Sequence, residues 1–446
     1  MTRMIIALCC ALALAGITLA EEKKPDSPQE KKAPTEIERI VESTHQVTIN
    51  GERVEYVARA GTLPLTEDKE DPKASVFFIS YTRTGVTDPA NRPLTFSFNG
   101  GPGSSSVWLH LGLLGPRRTE LDDEGFAEGP PFRLVDNEYS LLDKTDLVFI
   151  DPVSTGYSRT VGEEDPKQFH GLDEDIESVG EFIRLYTSKY TRWASPKFLI
   201  GESYGTTRAA GLSGYLQDQH GLYLNGIMLV SSILNFQTAR FDTGNDMPYV
   251  LFLPTYTATA WYHNRLEESL QADLTATLAE VKEFALGEYA SALMLGDALP
   301  ADRRAGIVRQ LARYTGLSEE YVEQTNLRIH IFRFTKELLR DQRRTVGRLD
   351  SRFIGIDADA AGESFEYDPS YANILGPYAA TLNDYVRREL NYESVLPYEI
   401  LTGNVHPWNY GSYRNRYVNV AETLREAMTK NQRLRVYVGS GYYDLA

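Results

Sequence analysis

Three short, almost uninterrupted apolar runs constrain this chain more than anything else in it. They are "DLVFID" (Asp146 to Asp151), "KFLIG" (Lys197 to Gly201) and "GIMLVSS" (Gly226 to Ser232). A strand that is apolar at successive positions must be covered on both faces, the condition of strands inside a parallel sheet. Between the first two runs, Ile176, Val179, Ile183 and Tyr186 recur at helical spacing. Asp173, Glu174 and Asp175 open that segment while Lys189 and Arg192 close it, as the helix dipole favours. A second helix is expected after Gly201, running through Leu216. Alternating strands and helices of this kind predict an α/β fold with a mostly parallel central sheet. With 42% apolar residues, the chain has the material for a large core and is not a disordered polymer.

Other elements surround this unit. "HQVTINGERVEYVARA" carries two β-prone runs around Asn50-Gly51, the preferred pair for a tight turn, and predicts an N-terminal antiparallel hairpin. "ASVFFISYTRT" and "RPLTFSFNGG" read as further strands. From about Phe236 to Trp408 the alternation stops and long helical stretches take over, among them "LRIHIFRFTKELLRDQRR". A helix around Val420 to Met428 and the strand "LRVYVGS" then resume it. The expected organisation is a first core segment over 36–235, a mostly helical inserted subdomain over 236–408, and a second, incomplete core segment over 409–446.

The first 35 residues read differently. Arg3, an apolar run from Met4 to Leu14 and the small residues before Glu21 predict a cleaved signal peptide over 1–20. "EEKKPDSPQEKKAPT" over 21–35 is expected to be a disordered charged linker. Both cysteines, Cys9 and Cys10, fall in the leader, so the mature chain would use no thiol chemistry. Export to a bacterial envelope, periplasmic or secreted, is the matching location, without stable membrane insertion after cleavage. The net charge of −16 argues against a nucleic-acid partner or an anionic membrane surface.

Three stretches carry chemistry. In "LIGESYGTT" a strand ends at Gly201, Ser203 occupies a G-x-S-x-G turn, and a helix begins behind it. That placement exposes the serine oxygen and aims free N–H groups at a developing oxyanion. In "FNGGPGSSSVW" (Phe98 to Trp108), glycines after a strand allow close backbone approach, and Pro102 stiffens the loop. "DPVSTGYS" (Asp151 to Ser158) follows a third strand end, where α/β sheets place ligands. "DADAAG" (Asp357 to Gly362) partly imitates a calcium loop, but its fifth position is Ala361 and its twelfth is not Glu. No metal and no cofactor is assigned.

Together these stretches resemble the serine carboxypeptidases of the α/β-hydrolase fold. The resemblance rests on Asn99-Gly100-Gly101-Pro102-Gly103, on Asp151-Pro152-Val153 with Gly156-Tyr157-Ser158, and on Gly201-Glu202-Ser203-Tyr204, in that order. It implies that Ser203 attacks the C-terminal peptide carbonyl while the N–H groups of Gly101 and Tyr204 hold the oxyanion. It also implies that Asn99, the N–H of Gly100 and Glu202 recognise the free carboxylate of a peptide substrate. Two adjacent carboxyl groups cannot both ionise cheaply, so such a site is expected to bind best at acidic pH. The chain departs from the family pattern at Ser97, where a Trp is usual, at Ser104, where a Cys is usual, and near Leu113, where a second Glu is usual. Carboxylate recognition is therefore expected to be weakened or rebuilt.

The resemblance also implies the order Ser, Asp, His. Asp444, in the Gly-rich loop after "LRVYVGS", stands where the Asp belongs. All seven histidines precede it. His110 and His406 lie near the motifs, but structural or surface roles are expected for both. The chain is thus expected to be truncated after the Asp, with the catalytic His beyond Ala446 and little activity as given. An esterase or acyltransferase on the same fold, or a catalytically dead binding protein, are the alternatives.

Overall fold

The computed structural model describes residues 37–66 and 71–446. The expected leader and linker lie outside the described residues. Eight strands, numbered along the chain, form the main sheet: β1 (Arg39–Ile49), β2 (Glu52–Leu65), β3 (Ala74–Arg83), β4 (Leu94–Phe98), β5 (Asp146–Ile150), β6 (Lys197–Glu202), β7 (Gly226–Val230) and β8 (Arg435–Gly439). Their spatial order is β1-β2-β3-β5-β4-β6-β7-β8, and a two-residue strand at Arg159–Thr160 also pairs with β3. The first three strands run antiparallel and pair with β5; from β5 to β8 every pairing is parallel. Asn50 and Gly51 both take positive φ (49° and 82°), the backbone that a two-residue hairpin turn demands.

The sheet separates two cores, one on each face. On β5, Val148 and Ile150 point into one cluster, while Leu147 and Phe149 point into another. The first cluster packs under helices α1 (Leu172–Lys189) and α2 (Tyr204–His220). Val230 and Arg435 bracket a long excursion that, among the described residues, adds nothing to the main sheet. Helices α3 (Met247–Tyr262), α4 (Leu274–Phe284) and α5 (Ala301–Thr315) within it build a third, separate cluster. A later helix of the excursion, α6 (Pro369–Arg388), packs instead on the far face of the sheet, through Tyr378, Leu382 and Tyr385. Helix α7 (Ala421–Lys430) returns to the first cluster. "LRIHIFRFTKELLRDQRR" forms a shorter helix than its pattern predicts, over Ile331–Glu337 only. His330 caps it, and Arg343 soon turns left-handed at φ 55°.

Asp151 closes β5 and anchors the loop that follows β4. Its Oδ1 accepts from the N–H (2.8 Å) and hydroxyl (2.9 Å) of Ser106. Its Oδ2 packs against Gly156, where a Cβ would stand 1.8 Å away. Burial raises its pKa to about 6. The sign follows from linkage: the folded state holds this proton more tightly than the unfolded chain, so ionising Asp151 destabilises the fold as pH rises from about 4 to 6. The full penalty is roughly 3 kcal/mol. We predict that Asp151→Asn removes this component. The difference in unfolding free energy between variant and parent, measured by urea denaturation, should shift in the variant's favour across pH 4 to 6; a flat difference would refute the assignment.

Candidate active site

Parallel pairing sets the site. Phe98 of β4 lies opposite Gly201 of β6, Glu202 opposite Val230, and Val230 opposite Gly439. The loops after these four strands therefore open at one edge, where α/β sheets bind ligands.

Ser203 stands at the turn between β6 and α2 with φ 55° and ψ −127°, a conformation costly for a residue with a side chain. Its neighbours hold it there. The Ser203 N–H donates to the Val230 carbonyl (3.0 Å), and the N–H (2.8 Å) and hydroxyl (2.7 Å) of Thr206 donate to the Ser203 carbonyl. Gly100 runs directly against this turn: a Cβ there would sit 2.4 Å from the Tyr204 nitrogen and 2.8 Å from the Glu202 carbonyl oxygen. Only glycine permits that approach. Gly101, at φ 104°, then lines a cavity of about 430 Å³ together with Ser203 and Tyr204, a volume usual for small-ligand sites.

Asn99 is fully buried and used on three sides. Its Nδ2 donates to Glu202 Oε2 (3.0 Å), its Oδ1 accepts from the Leu109 N–H (3.0 Å), and its carbonyl accepts from Arg208 (2.7 Å). The Glu202 pKa is raised, chiefly by burial; the Asn99 hydrogen bond opposes the shift and the nearby Asp444 adds to it. Leu113, near which the family pattern has a second acid, is 49% exposed.

Asp444 follows β8 in a loop tied down at both ends. Its Oδ1 accepts from the Ala446 N–H (2.9 Å), and the Leu445 N–H donates to the Arg348 carbonyl (2.9 Å). Burial raises its pKa, against a hydrogen bond from Ser231. Asp444 lines a cavity of about 250 Å³, and Ser231 and Ile233 line both this cavity and the one holding Ser203. Ser203, Gly101, Tyr204 and Asp444 thus meet at one edge of the sheet, with Asn99, Gly100 and Glu202 packed behind them.

No histidine hydrogen-bonds to Ser203 or Asp444 among the described residues. His110 is buried against the Tyr81 hydroxyl (2.6 Å), and burial lowers its pKa to about 3. His406 is exposed. His330 does line the Ser203 cavity, which no sequence motif signalled. Its Nδ1 accepts from the Phe332 N–H (3.2 Å), so the neutral ring carries its proton on Nε2 and has no lone pair there to accept one from serine. Sequence reading also missed Ser231, Arg348 and the buried Arg208. None lies in a recognisable pattern, and each reaches the site from a different element. As for the calcium-like loop, Asp357 is engaged by Lys336 Nζ (2.5 Å). Among the described residues, no group of three or more His, Cys, Asp or Glu is placed to hold a metal ion.

The serine carboxypeptidase family model matches residues 54–446. The pheromone-processing carboxypeptidase KEX1 of Saccharomyces cerevisiae is 34% identical over 156 residues, covering 32% of this chain and 20% of that protein. Serine carboxypeptidase-like 45 of Arabidopsis thaliana is 26% identical over 182 residues, covering 38% and 36% respectively. These matches therefore span well under half the length of either relative. The crystal structure of KEX1(delta)p from S. cerevisiae superposes with a TM-score of 0.53 at 18% identity, over 87% of this chain and 74% of that one, a likeness of fold. Because the family model runs through β2 to the Asp444 loop and takes in every motif at the sheet edge, the chain belongs to the serine carboxypeptidase family.

Proposed function

We propose that this chain is an exported serine-type carboxypeptidase, releasing C-terminal residues from peptides through an acyl-enzyme on Ser203. The observation that carries the proposal is the register of β4 on β6, which lays Gly100 against the N-terminus of α2 beside a strained Ser203, with Gly101 lining the same cavity. In this reading the Gly101 and Tyr204 N–H groups take the charge that develops on the attacked carbonyl oxygen. Asn99, the Gly100 N–H and a protonated Glu202 grip the substrate's carboxylate. Asp444 is the triad acid, and none of the seven histidines of this chain hydrogen-bonds to it. The residues at 1–20 support export.

A second reading, a serine esterase or acyltransferase, draws on the exposed Leu113, which leaves Glu202 without the usual second acid. It is favoured if ester substrates are cleaved while matched peptide acids are neither bound nor cleaved.

Without the imidazole, hydrolysis of an N-blocked dipeptide should run roughly 10⁴-fold or more below an intact triad. Turnover at ordinary enzyme rates would overturn the base assignment. A fluorophosphonate should still label the chain slowly and at Ser203 alone, and Ser203→Ala should abolish the signal. Labelling no faster than in that variant would instead point to a binding protein. Gly100→Ala should slow labelling by about 100-fold, because its Cβ displaces the Tyr204 N–H. Finally, Glu202 donates to a carboxylate only while protonated, and its pKa is raised. Affinity for a peptide acid, read by fluorescence anisotropy, should therefore be highest at acidic pH and fall as pH rises through the Glu202 titration; a steady rise toward pH 8 would contradict this.

A further inference from the structure

Arg348 lines the Ser203 cavity, and among the described residues its side chain makes no hydrogen bond or ion pair. It occupies the turn between two short antiparallel strands, Thr345–Val346 and Ile354–Gly355. The backbone there is pinned on three sides. The Arg348 N–H donates to Asp368 Oδ1 (3.1 Å), its carbonyl accepts from the Leu445 N–H (2.9 Å), and the next residue, Leu349, donates to the Ser370 hydroxyl (3.1 Å). Leu445 is itself fully buried in the cluster under α3 to α5. The side chain is half-buried and lines the cavity with Gly101, Ser203 and Tyr204.

Among the described residues, the Arg348 guanidinium makes no ion pair. The nearest acid along the chain, Asp350, is engaged by Arg352 (2.6 Å). The positive charge of Arg348 reaches both Glu202 and Asp444, favouring their ionised forms against the effect of burial. A half-buried guanidinium without an ion pair is well suited to a ligand that brings an anion.

Geometry names that anion. The terminal carboxylate of a peptide lies one residue beyond the scissile bond, and an extended chain advances at most ~3.6 Å per residue. Beside Asn99, Gly100 and Glu202, any further partner for it must line the cavity that holds Ser203. Arg348 does, as does Arg240, but Arg240 is exposed, lies over the Phe236 ring and donates to the Tyr410 hydroxyl. The other titratable groups lining this cavity are Asp242, His330, Tyr204 and Tyr410.

We infer that Arg348 is a specificity-determining residue that receives the free carboxylate of the substrate's C-terminal residue, taking the part of the acid sought near Leu113. This rests on the carboxypeptidase reading. A pair of acids holds a carboxylate only through a shared proton and loses it as pH rises, whereas a guanidinium needs no proton and offers two parallel N–H donors. The site accordingly keeps part of its preference for free acids at neutral pH, with Glu202 adding to it under acidic conditions.

The test uses the chain as it exists and two fluorescein-labelled dipeptides, Phe-Leu with a free carboxylate and the same peptide as its amide. Binding is followed by anisotropy at pH 5 and pH 7.5. At pH 7.5 the parent should favour the acid by about tenfold. Arg348→Gln should bring that ratio to about one and restore part of it at pH 5. Arg348→Lys should retain an intermediate ratio, and Arg240→Gln the full one. Unchanged thermal melting of Arg348→Gln, expected for a side chain without an internal ion pair, shows that the fold is intact. If Arg348→Gln keeps the parent's ratio at pH 7.5 while the parent discriminates, this inference fails and the carboxypeptidase reading stands. If the parent binds acid and amide equally at both pH values, the carboxylate reading fails and this inference with it.

Discussion

The site hangs on one buried ion pair. Arg208, in the second turn of α2, has no exposed surface, and its Nε (2.7 Å) and Nη2 (3.1 Å) donate to the two oxygens of Asp175 on α1. Its remaining reach, through Nη1, goes to the Asn99 carbonyl. A charge taken out of water must be met on every side, and leaving one partner unmatched costs several kcal/mol. The helix behind Ser203, the neighbouring helix and the loop after β4 are thereby locked into one geometry. The Phe98 and Tyr204 rings flank the same guanidinium at 5.3 and 5.5 Å, so residues on either side of the Ser203 turn also shield the charge that positions it.

Around that lock, the edge of the sheet concentrates groups that are costly to hold. Ser203 and Ser231 both carry positive φ, and Asp151, Glu202 and Asp444 are carboxyls that burial pushes toward the protonated form. Strain and displaced titration of this kind gather where a fold is organised for binding or chemistry rather than for its own stability. The helical excursion contributes to the same edge. Leu445, one residue past Asp444, is buried in that excursion's own cluster, and Arg348 on its turn lines the cavity that holds Ser203.

How much of this was legible depended on whether the signal was local. The β6 strand, the Ser203 turn and α2 follow from an apolar run ending in Gly201 and a helical pattern beginning at Tyr204, all within a few residues. The Asn50-Gly51 hairpin is equally local. The stretch around Phe332 to Arg343 misled for the opposite reason: its apolar spacing continues past the point where packing lets the helix stop, after Glu337. Arg208 carried no signal either. An arginine in a helix reads as a solvated face until a partner is known, and Asp175 read only as a favourable charge at a helix start.

By itself, then, the sequence determined the class of fold, the turn that exposes Ser203, and the glycines that let a loop approach it. Those depend on backbone conformation and hydrophobic period, which short stretches of chain encode. Only the tertiary structure decided which side chains share the cavity. It set Gly100 against the Tyr204 nitrogen, put Ser231 beside Asp444, and brought Arg348 from a distant turn into the cavity that holds Ser203. Such meetings depend on strand register and on packing between segments more than a hundred residues apart, and no local pattern encodes a contact at that separation.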